Sequence, residues 1–253
     1  MSGHMIDAFT DSNGLVTLGL VLFLGGIAGI RGFLDKSGIL AAGMLGIIVG
    51  IGGHWTWLAI LLIFLVTGSL ATRFSYDEKA LMGLAEARDG ARNWTNVIAN
   101  GGAPGMIALL ALLTGEPIVL AAPFVAAVAV ASSDTMASEF GVLDPRVRMI
   151  VNGQIVPAGT NGGISPTGQA AALGGSLLIA MTAVPIIGFF GSGFSEQSWR
   201  VFLVIVLVGW FGCQIDSILG AMFENQGLMT KGQVNLASTL IGSLLTYLLL
   251  LLA

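Results

Sequence analysis

Apolar runs separated by short polar breaks fill almost the whole chain, at roughly 14–30, 38–53, 55–71, 97–113, 117–138, 167–190, 199–221 and 234–252. A membrane-crossing helix needs about 20 consecutive apolar residues. The pattern therefore predicts an all-α polytopic bundle of about eight transmembrane helices, several of them short or broken. Gly101, Gly102, Pro104 and Gly105 interrupt the fourth run, which leaves seven spans as the alternative. The break at 115–117 makes 97–138 a hairpin rather than one long helix. Two stretches fall out of the apolar pattern. Residues 72–100 carry the Ala, Leu, Glu and Arg content of a cytoplasmic or interfacial helical segment. Residues 139–166 form a Gly-rich cytoplasmic loop.

Composition agrees with this pattern. Of 253 residues, 55% are hydrophobic and 9% are charged, and mean hydropathy is +0.90. A soluble domain carries about 25% charged residues. The chain is read as one transmembrane domain over 1–253, and its net charge of −4 says little about partners; no nucleic acid is expected. The opening MSGHM resembles an expression scar before a native Met5, so residues 1–4, His4 included, are set aside. No basic or amphipathic targeting stretch precedes the first run, and an organelle transit peptide is not expected. Cys213, the lone cysteine, makes no internal disulfide and reads as a packed core residue.

Charge orients the spans. With Arg31 and Lys36 on the cytoplasmic side, alternation places Arg73, Lys79, Arg88, Arg92, Arg146, Arg148 and Lys231 there too, and only Arg200 outside. Nine of ten basic residues then lie inside, with both termini outside. The polar interest lies on that same face, so the expected site is cytoplasmic, in a prokaryotic plasma membrane.

The chemistry concentrates at ASSDTMASEFG, residues 131–141, which carries Asp134 and Glu139 at the end of a predicted span. Ionisable groups at such depth are costly and mark functional sites. A second cluster, CQIDSILGAMFENQG, carries Asp216 and Ser217. Magnesium prefers carboxylate and hydroxyl oxygens, completed by water and phosphate. Two acids on different helices suit metal-bridged phosphoryl chemistry. Against this stands a plain structural hydrogen bond between helices for either Asp alone. Asp134 and Glu139 lie about 140° apart on an ideal helix, so they meet one ion only if the helix loosens. Glu224 reads as a surface residue.

The loop VNGQIVPAGTNGGISPTG can turn backbone N–H groups toward an anion, with Thr160, Asn161 and Ser165 near phosphates. It contains neither the Walker pattern nor GxGxxG. Arg88, Arg92, Asn96 and Asn100 recur every four residues as one helical stripe. A stripe of this kind suits phosphate or sugar binding; the alternative is a solvated face with snorkelling arginines. Asn100-Gly101-Gly102 and Asn161-Gly162-Gly163 each precede a hairpin ending in an acid and a hydroxyl residue, which suggests a parallel repeat with Asp134 and Asp216 at equal depth. His54, beside Trp55 and Trp57, reads as an interfacial anchor. There is no Cys/His metal spacing and no nucleophile–His arrangement.

ARNWTNVIANGG, AVASSDTMASEFGVL, VPAGTNGGISPTG, QIDSILGA and VNLAST, in that order, resemble the membrane family of the plant phytyl-phosphate kinase of vitamin E synthesis. Its archaeal and bacterial members form domain-of-unknown-function family ninety-two. The resemblance covers most of the chain after Gly14 and extends distantly to dolichol kinases and CDP-lipid synthases. It implies an enzyme that phosphorylates an isoprenyl monophosphate with CTP and magnesium. By position it implies metal ligands at Asp134, Asp216 and Glu139, with Arg92 beside them in catalysis. Nucleotide or phosphate contacts are implied at Asn100, Gly101, Gly102, Thr160, Asn161, Gly162, Gly163, Ser165 and Ser217, and the helical stripe adds Arg88 and Asn96 to the expected set. Asn96 stands where the family often carries Gln. The same parts would serve a CDP-lipid synthase, and glycine-broken helices with buried acids are also features of a lipid or anion transporter.

Overall fold

The computed structural model describes residues 11–85, 91–190 and 198–252. Its helices are α1 (Ser12–Ile30), α2 (Lys36–Gly52), α3 (Trp55–Arg73), the short α4 (Tyr76–Leu81), α5 (Trp94–Thr114), α6 (Pro117–Gly141), α7 (Pro166–Phe190), α8 (Ser198–Leu219) and α9 (Lys231–Leu251). A π-helical turn, Gly220–Glu224, continues α8. The connection from α6 to α7 holds two short antiparallel strands, β1 (Arg148–Met149) and β2 (Gly163–Ile164). The chain is an all-α polytopic integral membrane protein. Each of the eight apolar runs becomes one helix. Among the described residues seven helices are long and apolar enough to cross a membrane, and α2, at 17 residues, falls short of that length.

The short span is therefore the second, not the fourth. Helix α5 runs unbroken through Gly101, Gly102, Pro104 and Gly105. It survives because its glycines face other helices: a Cβ on Gly101 would lie 2.3 Å from a Leu45 methyl, so the missing side chain is what lets α2 and α5 touch. At about 1.5 Å per residue α2 spans roughly 26 Å, just under the hydrocarbon thickness of about 30 Å.

Helix α6 is the axis of the bundle. Every residue from 121 to 133 is buried, and α3, α5, α7, α8 and α9 all pack against it. Alanines and valines dominate that stretch because it has no lipid-facing side and its neighbours must approach closely. Ser132 and Ser133 bind it to α7, donating to the carbonyls of Gly175 at 3.1 Å and Ala172 at 2.8 Å. The core continues through Trp57 stacked on Phe124, with centroids 4.4 Å apart.

The predicted arginine–asparagine stripe does not exist as one helical face. Arg92 precedes α5 in extended backbone, pinned to the α1–α2 turn by hydrogen bonds from its N–H to the Phe33 carbonyl and from the Asp35 N–H to its own carbonyl. Asn93 caps α5, with Asn96 answering in a capping box. Arg88, like residues 1–4, lies outside the described residues. The suggested repeat is also not structural at its start, since Asn100 lies within α5 whereas Asn161 lies in a loop.

Candidate active site

Asp134, near the end of α6, and Asp216, near the end of α8, are brought together on one cavity wall. Helix α9 supports both. Ser238 donates to Asp216 Oδ2 at 2.8 Å, and Asn235 reaches Asp134 Oδ2 at 3.5 Å. Asn235 and Ser238 are three residues apart and share a face. Asn235 also donates to Asn100 Oδ1 at 3.3 Å, while its own Oδ1 is buried without a hydrogen-bond partner.

These acids line a cavity whose other walls are the 159–165 loop, the start of α7, the π turn and the first turn of α9. The loop is seated directly on α8. Gly162 has φ +80°, and a Cβ there would lie 2.4 Å from the Ala221 Cβ and 2.7 Å from the Ser217 carbonyl oxygen. Only glycine meets both demands. Asn225 of the turn after α8 donates to the Asn161 carbonyl at 3.0 Å, and Asn161 and Glu224 line the same cavity. Thr160 Oγ1 turns back to the Pro157 carbonyl at 2.7 Å. Ser165 caps α7, accepting from the Gly168 N–H at 3.1 Å and donating to the Gly141 carbonyl at 3.2 Å. The base of the loop is fixed by Asp144, which accepts two hydrogen bonds from the Arg146 side chain and one from Thr167 Oγ1 at 2.7 Å. Those contacts, Arg146 first, hold the Asp144 carboxyl well below the usual carboxylate range.

Glu139 also lines the cavity, but its charge goes elsewhere. Its Oε2 lies 2.6 Å from Lys79 Nζ, in an ion pair buried on both sides. Lys79 also donates to the Ala71 and Thr72 carbonyls at 3.2 and 3.0 Å, closing the last turn of α3. The turn between Asp134 and Glu139 stays α-helical, so the two acids point apart as ideal geometry requires. Among the described residues no group of three His, Cys, Asp or Glu is placed to hold a metal. The Asp134–Asp216 pair by itself fits a magnesium ion, which is commonly held by one or two carboxylates with water and phosphate oxygens completing the shell. Two carboxylates lining one cavity need a proton or a cation between them, which supports that fit.

The other predicted phosphate contacts fall in a second recess. Arg92, Asn96, Asn100 and Gly101 join leucines of α2 and α3 there. Arg92 is 8% exposed, and burial pushes its guanidinium below its ordinary value while the charges of Glu139 and Asp134 oppose that shift. Gly101 and Gly102 lie inside α5, against Leu45 and Leu236, as packing positions.

Several cavity residues escaped the sequence reading. Lys231 lines the wall at the start of α9, Glu224 faces the cavity instead of the surface, and Gln169 joins them from α7. Gln169 is locked by Trp210 Nε1 at 3.1 Å and Gln214 at 2.9 Å. Asn235 and Ser238, which support the two acids from behind the cavity, lie in the VNLAST motif but are given no role there.

No solved structure matches the chain. An uncharacterized membrane protein of Methanocaldococcus jannaschii is 29% identical over 213 residues, 84% of each chain. Protein PGR of Arabidopsis thaliana is 33% identical over 214 residues, 78% of this chain and 74% of that protein. Protein VTE6, chloroplastic, of the same plant is 27% identical over 238 residues, 91% of this chain and 69% of that one. Residues 19–243 match the family described as Integral membrane protein DUF92, to which this chain therefore belongs.

Proposed function

We propose that the chain transfers a phosphoryl group from CTP to an isoprenyl monophosphate, giving the lipid diphosphate and CDP. The observation that carries this reading is the convergence of Asp134, Asp216 and the 159–165 loop on one cavity. The motif resemblance to the phytyl-phosphate kinase family supplies the reaction class. In the balanced step, an oxygen of the lipid phosphate bonds to the γ-phosphorus of CTP. The γ-phosphorus bond to the β–γ bridging oxygen breaks, and CDP leaves with that electron pair.

Asp134 and Asp216 would hold magnesium, which when bound offsets charge between leaving and transferred groups. Ser138 and Ser217 offer hydroxyls to the same space, and Lys231 brings a cation to the nucleotide side. The 159–165 loop cradles the nucleotide phosphates. Arg92 belongs to the acceptor's side. The acceptor is already an ionised phosphate, so no general base is required, and positioning with charge compensation supplies most of the rate. The basic-residue asymmetry supports a cytoplasmic-facing cavity in a prokaryotic plasma membrane.

The test is incubation of purified protein with magnesium, CTP and a panel of isoprenyl monophosphates, with products identified by mass spectrometry. Lipid diphosphate and CDP are expected. Pyrophosphate with a CDP-lipid would replace the kinase by a cytidylyltransferase.

A further inference from the structure

We propose that the groove between α2, α3 and α5 holds the isoprenyl chain of the acceptor, with Arg92 at its mouth meeting the lipid phosphate. Three features carry the assignment, which rests on the kinase reading for the identity of the ligand.

The first is its lining. Leu45, Leu58, Leu61 and Leu62 form apolar walls, and the polar members are Arg92, Asn96 and Asn100. Arg92 sits over the Phe64 ring, 5.7 Å from its centroid, so along α3 the groove runs from the Arg92 end toward Leu58. Positions 58 and 65 are about 10 Å apart along a helix axis. A branched hydrocarbon with one anionic end has the same polarity as this recess.

The second is Arg92 itself. Its guanidinium is buried, its hydrogen bond to Thr72 Oγ1 is long at 3.4 Å, and among the described residues it forms no ion pair. Glu139 and Asp134 are near enough for their charges to be felt at Arg92 but neither pairs with it directly, and a buried guanidinium whose planar fork is not taken up by a carboxylate can receive phosphate oxygens.

The third is the connection between recesses. Asn235 donates to both Asn100, in the groove, and Asp134, in the cavity. The Asn100 side of the groove is thus separated from Asp134 by one asparagine amide. This is where an acceptor must lie if its oxygen is to reach a nucleotide held on the far side of Asp134.

Two experiments test this. In the first, Ala42→Trp and Leu62→Trp narrow the groove from opposite walls, and each purified variant is checked for monodispersity. The KM for a twenty-carbon monophosphate should rise about tenfold or more, while that for a five-carbon one changes far less and KM for CTP holds. Arg92→Lys, which keeps the charge and loses the fork, should raise KM for every lipid phosphate. An equal effect on short and long chains, or none, would overturn the groove. In the second, a diazirine-bearing farnesyl monophosphate is photolysed with wild-type protein in the absence of nucleotide. Labelling on residues 42–46 or 58–65, competed by isoprenyl monophosphate and weakened by Arg92→Lys, supports the site. Labelling spread over outer helices and not competed marks general bilayer contact and refutes it. Groove labelling without any CTP-dependent turnover would reject the kinase while leaving the lipid site standing. Turnover with labelling elsewhere would reject the groove alone.

Discussion

The two recesses are built from opposite materials. Apart from Leu84, the cavity takes its walls from helix ends, a π turn and a glycine-rich loop between residues 134 and 231, and it is rich in carboxylates, hydroxyls and amides. The groove takes its walls from α2, α3, α5 and the chain just before α5, between residues 42 and 101, and it is mostly apolar, with leucine the commonest residue. The early part of the chain thus makes a surface for hydrocarbon and the later part a surface for charge. Asn235, Asn100 and Arg92 stand at the seam. A soluble nucleotide and a membrane lipid could be brought together in this way without either leaving its own solvent.

The largest expected effect is at the acid pair. Asp134→Asn or Asp216→Asn should lower the rate of CTP-dependent phosphorylation by roughly a thousandfold or more while retaining lipid labelling in the groove. Near-wild-type turnover in a folded variant would remove the metal assignment and leave the cavity a structural feature.

Next comes the Lys79–Glu139 pair, which separates stability from chemistry. Removing one member of a buried ion pair strands the other, at a cost of about 3 kcal/mol or more. Lys79→Met should therefore lower the unfolding midpoint sharply, and the double variant Lys79→Met with Glu139→Leu should regain most of it. Glu139→Gln should leave the magnesium dependence of the rate unchanged. A weaker magnesium affinity there would restore Glu139 as a ligand.

A smaller effect is expected at the loop. Gly162→Ala meets a left-handed backbone, unfavourable by about 1–2 kcal/mol for alanine, and a clash with Ala221. KM for CTP should rise by about tenfold, with KM for the lipid hardly altered. Equal shifts in both would mean that the cavity and the groove are not independent sites.

The smallest effect is a pH dependence at Asp144. Its carboxyl value in the folded chain lies below that in the unfolded chain, so the carboxylate stabilises the fold at neutral pH. That contribution is full above the unfolded value of about 4 and is lost as pH falls toward the folded value. The gap in unfolding midpoint between wild type and Asp144→Asn should be constant from about pH 8 to pH 5 and close below about pH 4. A gap that does not change with pH would assign Asp144 a packing role only.

Much of this molecule was legible before its fold was seen. Eight apolar runs became eight helices because backbone groups in a bilayer must bond within their own segment, and that leaves little freedom for boundaries to move. Asp134 and Asp216 stood out because an acid in an apolar run is costly. The stripe through Arg92, Asn96 and Asn100 failed because Asn93 starts a helix where a continuous one was assumed. Gly101 and Gly102 looked like a helix break, yet a glycine run serves equally for close packing, and only the presence of Leu45 decides between these uses. Glu139 was drawn to the acid pair by proximity in sequence, while Lys79, sixty positions away, holds its charge.

The sequence by itself determined the membrane class, the number of apolar helices, the two acidic helix ends and the glycine-rich loop between them. These follow from local quantities, hydropathy and the cost of burying charge, which each residue carries with it. Tertiary structure alone decided that the two acids share one cavity, that Glu139 turns to Lys79, and that Arg92 faces an apolar groove. Those depend on which helices cross at α6, and the pairing of helix faces is a property of the packed bundle, not of any one stretch of chain.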